Sequence, residues 1–291
     1  MKFGQVEDPE SVDFTLPATP PETIALLKKH RGDGNLEVYV GCAKWNRQDL
    51  KGFYPRGTKD ELAYYATQFN SIELNATFYN SPSAEQVRVW REKTPDDFKF
   101  FPKIPQSVSH FSRLLNAEDK VTAFCDAISH FENKLGMAFL QMHDNYKPKD
   151  MDRLTAFLQA FPKVIPLAVE VRNAAWFADA EVATSLYGLL QTEGATNVLV
   201  DTAGRRDMLH MRLTTPSAFV RYVGANHASD YTRLDEWVTR IGQWRDAGLQ
   251  QLYFFIHQNV EVESPLLATH FIAKLKSDLG IEVRGPNQTL L

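Results

Sequence analysis

The stretch Ile165-Pro-Leu-Ala-Val-Glu-Val-Arg172 decides the fold. Side chains alternate faces along a strand, so Glu170 and Arg172 leave one face while Val169 and Val171 point the other way into an apolar layer. A charge inside a core costs several kcal/mol unless it is paired or used. The same pattern on neighbouring strands therefore marks a site.

Working outward, strand-like runs recur at 37–45, 71–79, 98–105, 135–143, 196–202, 218–224 and 251–259, mostly separated by helical patterns. Thr58 to Glu61 and Ser83 to Gln86 have capping-box spacing, Ser264-Pro265 opens a helix and Gly280 closes it. Eight strands alternating with helices predict an α/β fold, a parallel (β/α)8 TIM-barrel-like domain. Thr202 and Ala218 lie too close for a full helix and two loops, so the sixth helix is expected to be missing or irregular. A doubly wound open sheet is the runner-up, and no Gly-rich turn follows the first strand to support it. Residues 1–36 read as a partly irregular N-terminal extension, with a short amphipathic helix from Pro21 to His30 outside the main fold, and 37–291 as a single domain.

The chain has 291 residues, 44% apolar and 12% aromatic, enough for a packed core. Its net charge of -4 excludes a global basic field, although a local groove for nucleic acid is not excluded. Cys42 and Cys125 form neither a disulfide framework nor a paired metal motif. The N-terminus lacks an apolar leader, and no run of about 18 apolar residues occurs. A cytoplasmic protein without membrane partners is expected; the oligomeric state is left open.

Assigning faces by alternation places polar residues late on most strands. Glu73, Asn75 and Thr77 share a face, as do Phe101 with Lys103, Met137 with Gln141 and His143, Asn197 with Asp201, Phe219 with Arg221, and Tyr253 with His257 and Asn259. In such barrels the reacting groups come from strand C-termini. Glu73, Glu170 and Lys103 are the candidate catalytic residues. Asn75, Tyr79, Gln141, Arg172, Arg221, His110 and Asn259 are candidate substrate contacts. His143, Asp201 and His257 have the donor types for a divalent metal, which is the one cofactor considered; no nucleotide cofactor is expected. The bland reading is a set of buried ion pairs, Glu170 with Arg172 and Glu73 with Lys103, doing no chemistry.

Several stretches resemble the YecE-like family, also called domain of unknown function 72. They include Val40-Gly-Cys-Ala-Lys-Trp45, Phe69-Asn-Ser-Ile-Glu-Leu-Asn-Ala-Thr-Phe-Tyr79, Ala168-Val-Glu-Val-Arg-Asn-Ala-Ala-Trp176 and Val220-Arg-Tyr-Val-Gly224. The resemblance implies a TIM-barrel-like fold and no established reaction. Its strand-end positions fall on Glu73, Asn75, Lys103, Gln141, Glu170, Arg172 and Arg221. Two departures introduce histidines: Met142-His143-Asp144 stands where the family usually has a proline pair, and Ile256-His-Gln-Asn259 where it has Phe-Asn-Asn.

These patterns suggest an enzyme acting on a small anionic or sugar-like substrate, with a phosphoester as one option, by hydrolysis, isomerisation or lyase chemistry. Glu73 and Glu170 would form an acid–base pair, and Lys103, Arg172 and Arg221 would hold the anion. Lys103 has a second reading, as a desolvated Schiff-base nucleophile. The alternatives are a non-catalytic barrel that binds a metabolite or nucleic acid, and a metal-dependent phosphodiesterase or nuclease.

Overall fold

The computed structural model describes residues 4–32 and 34–286. Among the described residues eight strands form, each parallel to the strand it pairs with: β1 Glu37–Cys42, β2 Ser71–Leu74, β3 Lys99–Pro102, β4 Ala138–Gln141, β5 Leu167–Glu170, β6 Thr196–Thr202, β7 Ser217–Gly224 and β8 Gln251–Gln258. Around them lie α1 Pro21–Lys29, α2 Glu61–Gln68, α3 Ala76–Tyr79, α4 Ala84–Glu92, α5 Glu118–Ser129, α6 Met151–Ala160, α7 Ala180–Thr192, α8 Ser229–Ala247 and α9 Ser264–Leu279.

The closed eight-stranded barrel expected from the strand count does not form. The ladder is an open, curled six-stranded sheet in the order β1-β8-β7-β6-β5-β4, with β2 and β3 as a separate pair. The break beside β1 has a side-chain cause. The Asn70 amide accepts from Val40 N at 2.9 Å and donates to Val38 O at 2.8 Å, while the Tyr65 hydroxyl accepts from Cys42 N and donates to Ser71 O. Side chains thus satisfy backbone groups that a ladder would have paired. The backbones nearly touch there: a Cβ on Gly41 would lie 2.2 Å from Ser71 O. Between β3 and β4, among the described residues, only the isolated bridges Phe100 to Leu135 and Lys103 to Phe139 form.

Curling brings the two sheets onto one inner core. Phe101 of β3 packs on Phe255 of β8 with ring centroids 4.8 Å apart, and Phe219 of β7 contacts Phe101, Phe139 and Phe255. The opposite strand faces bury Val40, Ile72, Leu140, Val169, Leu199, Val220 and Phe254 in a second core under the helices. Most strands therefore follow the expected faces. In β6 the expectation is one residue out of phase: Val198 and Val200 face the inner core, and Leu199 the outer. A one-residue shift reverses every side chain.

Two local endings also differ. Strand β2 stops at Leu74 instead of continuing to Tyr79, because Thr77 Oγ1 donates to Leu74 O at 2.9 Å and Lys103 O at 2.7 Å and folds the chain into α3. Asp60, not Thr58, caps α2 by accepting from Ala63 N at 3.0 Å. Ser83 caps α4 and Gly280, at φ +66°, ends α9.

The connection from β6 to β7 holds a 3-10 segment, Ala203–Met208. The helix expected outside the main fold packs there instead. Thr23 of α1 donates to Met211 O and accepts from Leu213 N, and Thr23, Leu26 and Leu27 are buried. The chain before α1 runs along α8, where Arg240 donates to Pro17 O and Trp244 to Thr19. Residues 1–3 and Asp33 of the extension, and 287–291 at the other end, lie outside the described residues.

Candidate functional site

Glu73 ends the inner face of β2, Lys103 follows β3, Gln141 closes β4, Glu170 closes β5, Arg221 sits in β7 and His257 in β8. Parallel strands carry all six to one end of the sheet, above the phenylalanine layer. Arg221 is the hub. Its Nε and Nη2 donate to Glu73 Oε2 and Oε1 at 2.8 and 2.9 Å, and its Nη1 donates to Glu170 Oε2 at 2.8 Å. A planar guanidinium suits this arrangement, because its fork grips one carboxylate bidentately and keeps a donor for the second.

The remaining lone pairs are taken in turn. Glu73 accepts from Asn75 Nδ2 at 2.7 Å and lies 3.0 Å from His257 Nε2. Glu170 accepts from Arg172 Nε at 2.5 Å and from Gln141 Nε2 at 3.1 and 3.0 Å. With its amino group committed to Glu170, Gln141 turns Oε1 to Lys103 Nζ, 2.8 Å away. Lys103 thus does not pair with Glu73, contrary to the bland expectation. Its Nζ lies 4.1 Å from the centre of the Phe78 ring and 5.8 Å from that of Phe139.

Protonation follows from these neighbours. Burial raises the Glu73 carboxyl, but Arg221 and His257 outweigh it and hold it well below the usual range. Burial likewise opposes ionisation of Glu170, while Arg172 and Arg221 bring it down to about 2. Burial lowers His257, and the charge of Glu73 more than compensates, leaving it raised. Lys103 moves the other way: burial first, then the positive charge of Arg221, pulls its ammonium down to about 7. Both glutamates are therefore held as anions. Lys103 is the member poised near neutrality.

The rim is aromatic. His110, in the turn Ser107–Phe111, stands edge-on to Phe78 at 4.9 Å and to His143 at 5.1 Å. Burial, then His143, pulls His110 down to about 4, so its ring is neutral at pH 7. Tyr79 touches Phe78 but is 67% exposed and outside the hydrogen-bonded network. Asn259 lies past β8, where its backbone N donates to Gly224 O; its side chain has no hydrogen bond to the network.

The candidate metal donors are not brought together. His143 is on the rim, where Nδ1 accepts from Asn145 N. His257 is held by Glu73. Asp201 is on the outer face of β6, accepting from Arg233 Nη2 and Trp237 Nε1 at 2.7 Å each and paired with Arg206. Among the described residues no group of three His, Cys, Asp or Glu side chains could hold a metal ion. The misplacement of Asp201 follows from the phase error in β6.

Two contributors were missed. Phe78, which covers Lys103, was assigned no inward role because β2 was extended to Tyr79. Glu261, four residues after His257, brings Oε1 to 3.7 Å from its Nδ1. Among the described residues no helix is long and apolar enough to cross a membrane.

A family model described as "Protein of unknown function DUF72" matches residues 39–289. The UPF0759 protein YecE of Escherichia coli K12 is 29% identical over 252 residues, covering 79% of this chain and 89% of that protein. The UPF0759 protein YunF of Bacillus subtilis is 28% identical over 152 residues, 48% of this chain and 52% of that one. Among solved structures, a DUF72 family protein of Thermotoga maritima aligns at TM-score 0.65 and 26% identity, covering 83% of this chain and 100% of that one. One of Enterococcus faecalis aligns at TM-score 0.68 and 17% identity, covering 85% and 99%.

Proposed function

The chain belongs to the DUF72 family, which is named for its lack of an assigned reaction, and from that premise we propose that it is an enzyme for a small anionic substrate, with Lys103 exchanging the reacting proton. The observation that carries this reading is the separation of roles among four buried charges. Glu73 and Glu170 spend their lone pairs on Arg221, Arg172, Asn75, Gln141 and His257, a preorganised frame that costs no reorganisation during reaction. Lys103 faces a neutral amide and has a pKa of about 7, the range in which a general base or acid works best. Arg172, half-buried on the rim side of Glu170, adds the positive charge that an anionic substrate requires.

Turnover of phosphorylated and carboxylated sugars and keto compounds tests the reading, with wild type compared against Glu170→Gln. The expected result is conversion of at least one compound, slowed by about 10²-fold or more in the variant, which breaks the preorganised frame around Lys103. The rate should rise with pH through about 7 as Lys103 deprotonates. Compounds that bind the wild type and are all recovered unchanged would identify a binding protein instead.

A further inference from the structure

We infer that Lys103 is a nucleophile toward the carbonyl group of a small anionic compound, which it holds as a Schiff base at the carboxyl end of β3. This rests on reading the network as an enzyme's site and names its substrate class.

A buried lysine facing a carboxylate is held as ammonium, with its lone pair occupied by a proton. Lys103 faces Gln141 Oε1, whose orientation is fixed because the same amide donates to both oxygens of Glu170. A neutral amine donates one N–H to that oxygen and keeps its lone pair outside the hydrogen bond. The carboxylates that would otherwise claim it are engaged by Arg221, Arg172, Asn75 and His257.

Lys103 is only 6% exposed, lying over Phe78 and near Phe139. Burial and two neighbouring guanidinium groups disfavour its ammonium form, the condition under which lysine becomes nucleophilic. Arg172 then matches a carboxylate or phosphate on the same small molecule.

In the reaction the Nζ lone pair forms a bond to the carbonyl carbon and the C–O π pair moves to oxygen. Transfer of a proton from nitrogen to that oxygen gives a carbinolamine. The hydroxyl takes up one proton from solvent and the C–O bond breaks with its electron pair, releasing water, while the nitrogen lone pair forms a protonated C=N bond. No redox change occurs.

The test is reductive trapping of the folded wild-type protein. Borohydride is added at pH 7 with pyruvate in one arm, dihydroxyacetone phosphate in another and neutral acetone in a third, followed by peptide mapping. The expected result is an adduct at Lys103 in at least one anionic arm, at least tenfold above any other lysine, with acetone far weaker. Comparing the two anionic arms shows whether carboxylate or phosphate is preferred. No adduct, or labelling spread over other lysines, overturns the inference, and the map decides this without any variant. Lys103→Arg, if it retains its melting profile, should lose the adduct; an undiminished adduct also overturns it. Substrate turnover without trapping would leave Lys103 as a proton carrier and remove only the covalent step. Trapping at Lys103 without turnover would uphold the reactive amine and remove the enzyme reading.

Discussion

Two ionic clusters lie on opposite faces of neighbouring strands. On the inner face, Arg221 binds Glu73 and Glu170. On the outer face, Asp201 binds Arg233 and Arg206, and Arg233 also binds Asp230 at 3.1 Å. Both are buried, and both combine arginine with two acidic side chains. They differ in what surrounds them. Arg233 is sandwiched between the rings of Phe14 and Tyr222, each 4.4 Å from its guanidinium carbon, and Trp237 donates to Asp201. This cluster ties β6, α8 and the N-terminal arm together. The inner cluster instead ends at a lysine on a neutral amide, beneath a rim of rings. Buried charge alone does not distinguish a clamp from a site; the difference lies in a group left near its titration point.

The strongest way to break this comparison is to remove one charge from each cluster. Arg221→Met and Asp201→Asn should each lower stability by about 3–5 kcal/mol, because each strands buried charges. Urea unfolding at unchanged slope measures this. Only Arg221→Met should also change labelling of Lys103, by removing the positive charge that most disfavours its ammonium. Equal effects of both variants on Lys103 would erase the distinction.

A smaller effect comes from acid. The folded pKa of Glu170, about 2, lies below its ordinary 4.5, so its stabilising contribution is present above about pH 4.5 and is lost as pH falls toward 2. Glu170→Gln should lack that part of the acid-unfolding curve. Lys103 has the same sense in a higher window: its folded pKa of about 7 lies below its ordinary 10.5, so stability again rises with pH between those values. Competitive acylation followed by peptide mapping should find Lys103 half-reactive near pH 7, well below exposed lysines. Arg221, Glu170, Arg172 and Glu73 are the charges acting on it, so an ordinary titration would show their balance to be different.

The smallest expected change is at the rim. Tyr79→Ala should move stability by no more than about 0.5 kcal/mol, since most of the ring is exposed. A much larger loss would make Tyr79 part of the clamp.

The sequence showed the strands and most of their faces because an apolar face and a polar end coincide on β2, β3, β4, β5, β7 and β8. It did not show closure. Whether β1 and β2 pair depends on Asn70 and Tyr65 reaching backbone groups about 30 and 23 residues away in sequence, and alternation carries no trace of such contacts. Strand β6 defeated the same rule because Asn197 and Asp201 suggest an inward polar face, whereas their alternates Val198 and Val200 fill the inner core. The meeting of Glu73, Lys103, Gln141, Glu170 and Arg221 at one end of the strands was legible; their pairings were not. Gln141 was visible as a polar strand end, but its position between Glu170 and Lys103 depends on side-chain reach across two neighbouring strands.

The docking of α1 has a consequence for how the chain reaches this structure. Thr23 meets Met211 and Leu213 across 188 and 190 residues. An early helix joined to so late a partner raises the mean sequence separation of contacts, which slows folding. During synthesis α1 must wait for its place on the β6–β7 connection until most of the chain has emerged. Its buried leucines therefore stay exposed until that connection has emerged, so early sequestration of α1 should affect the yield of folded protein.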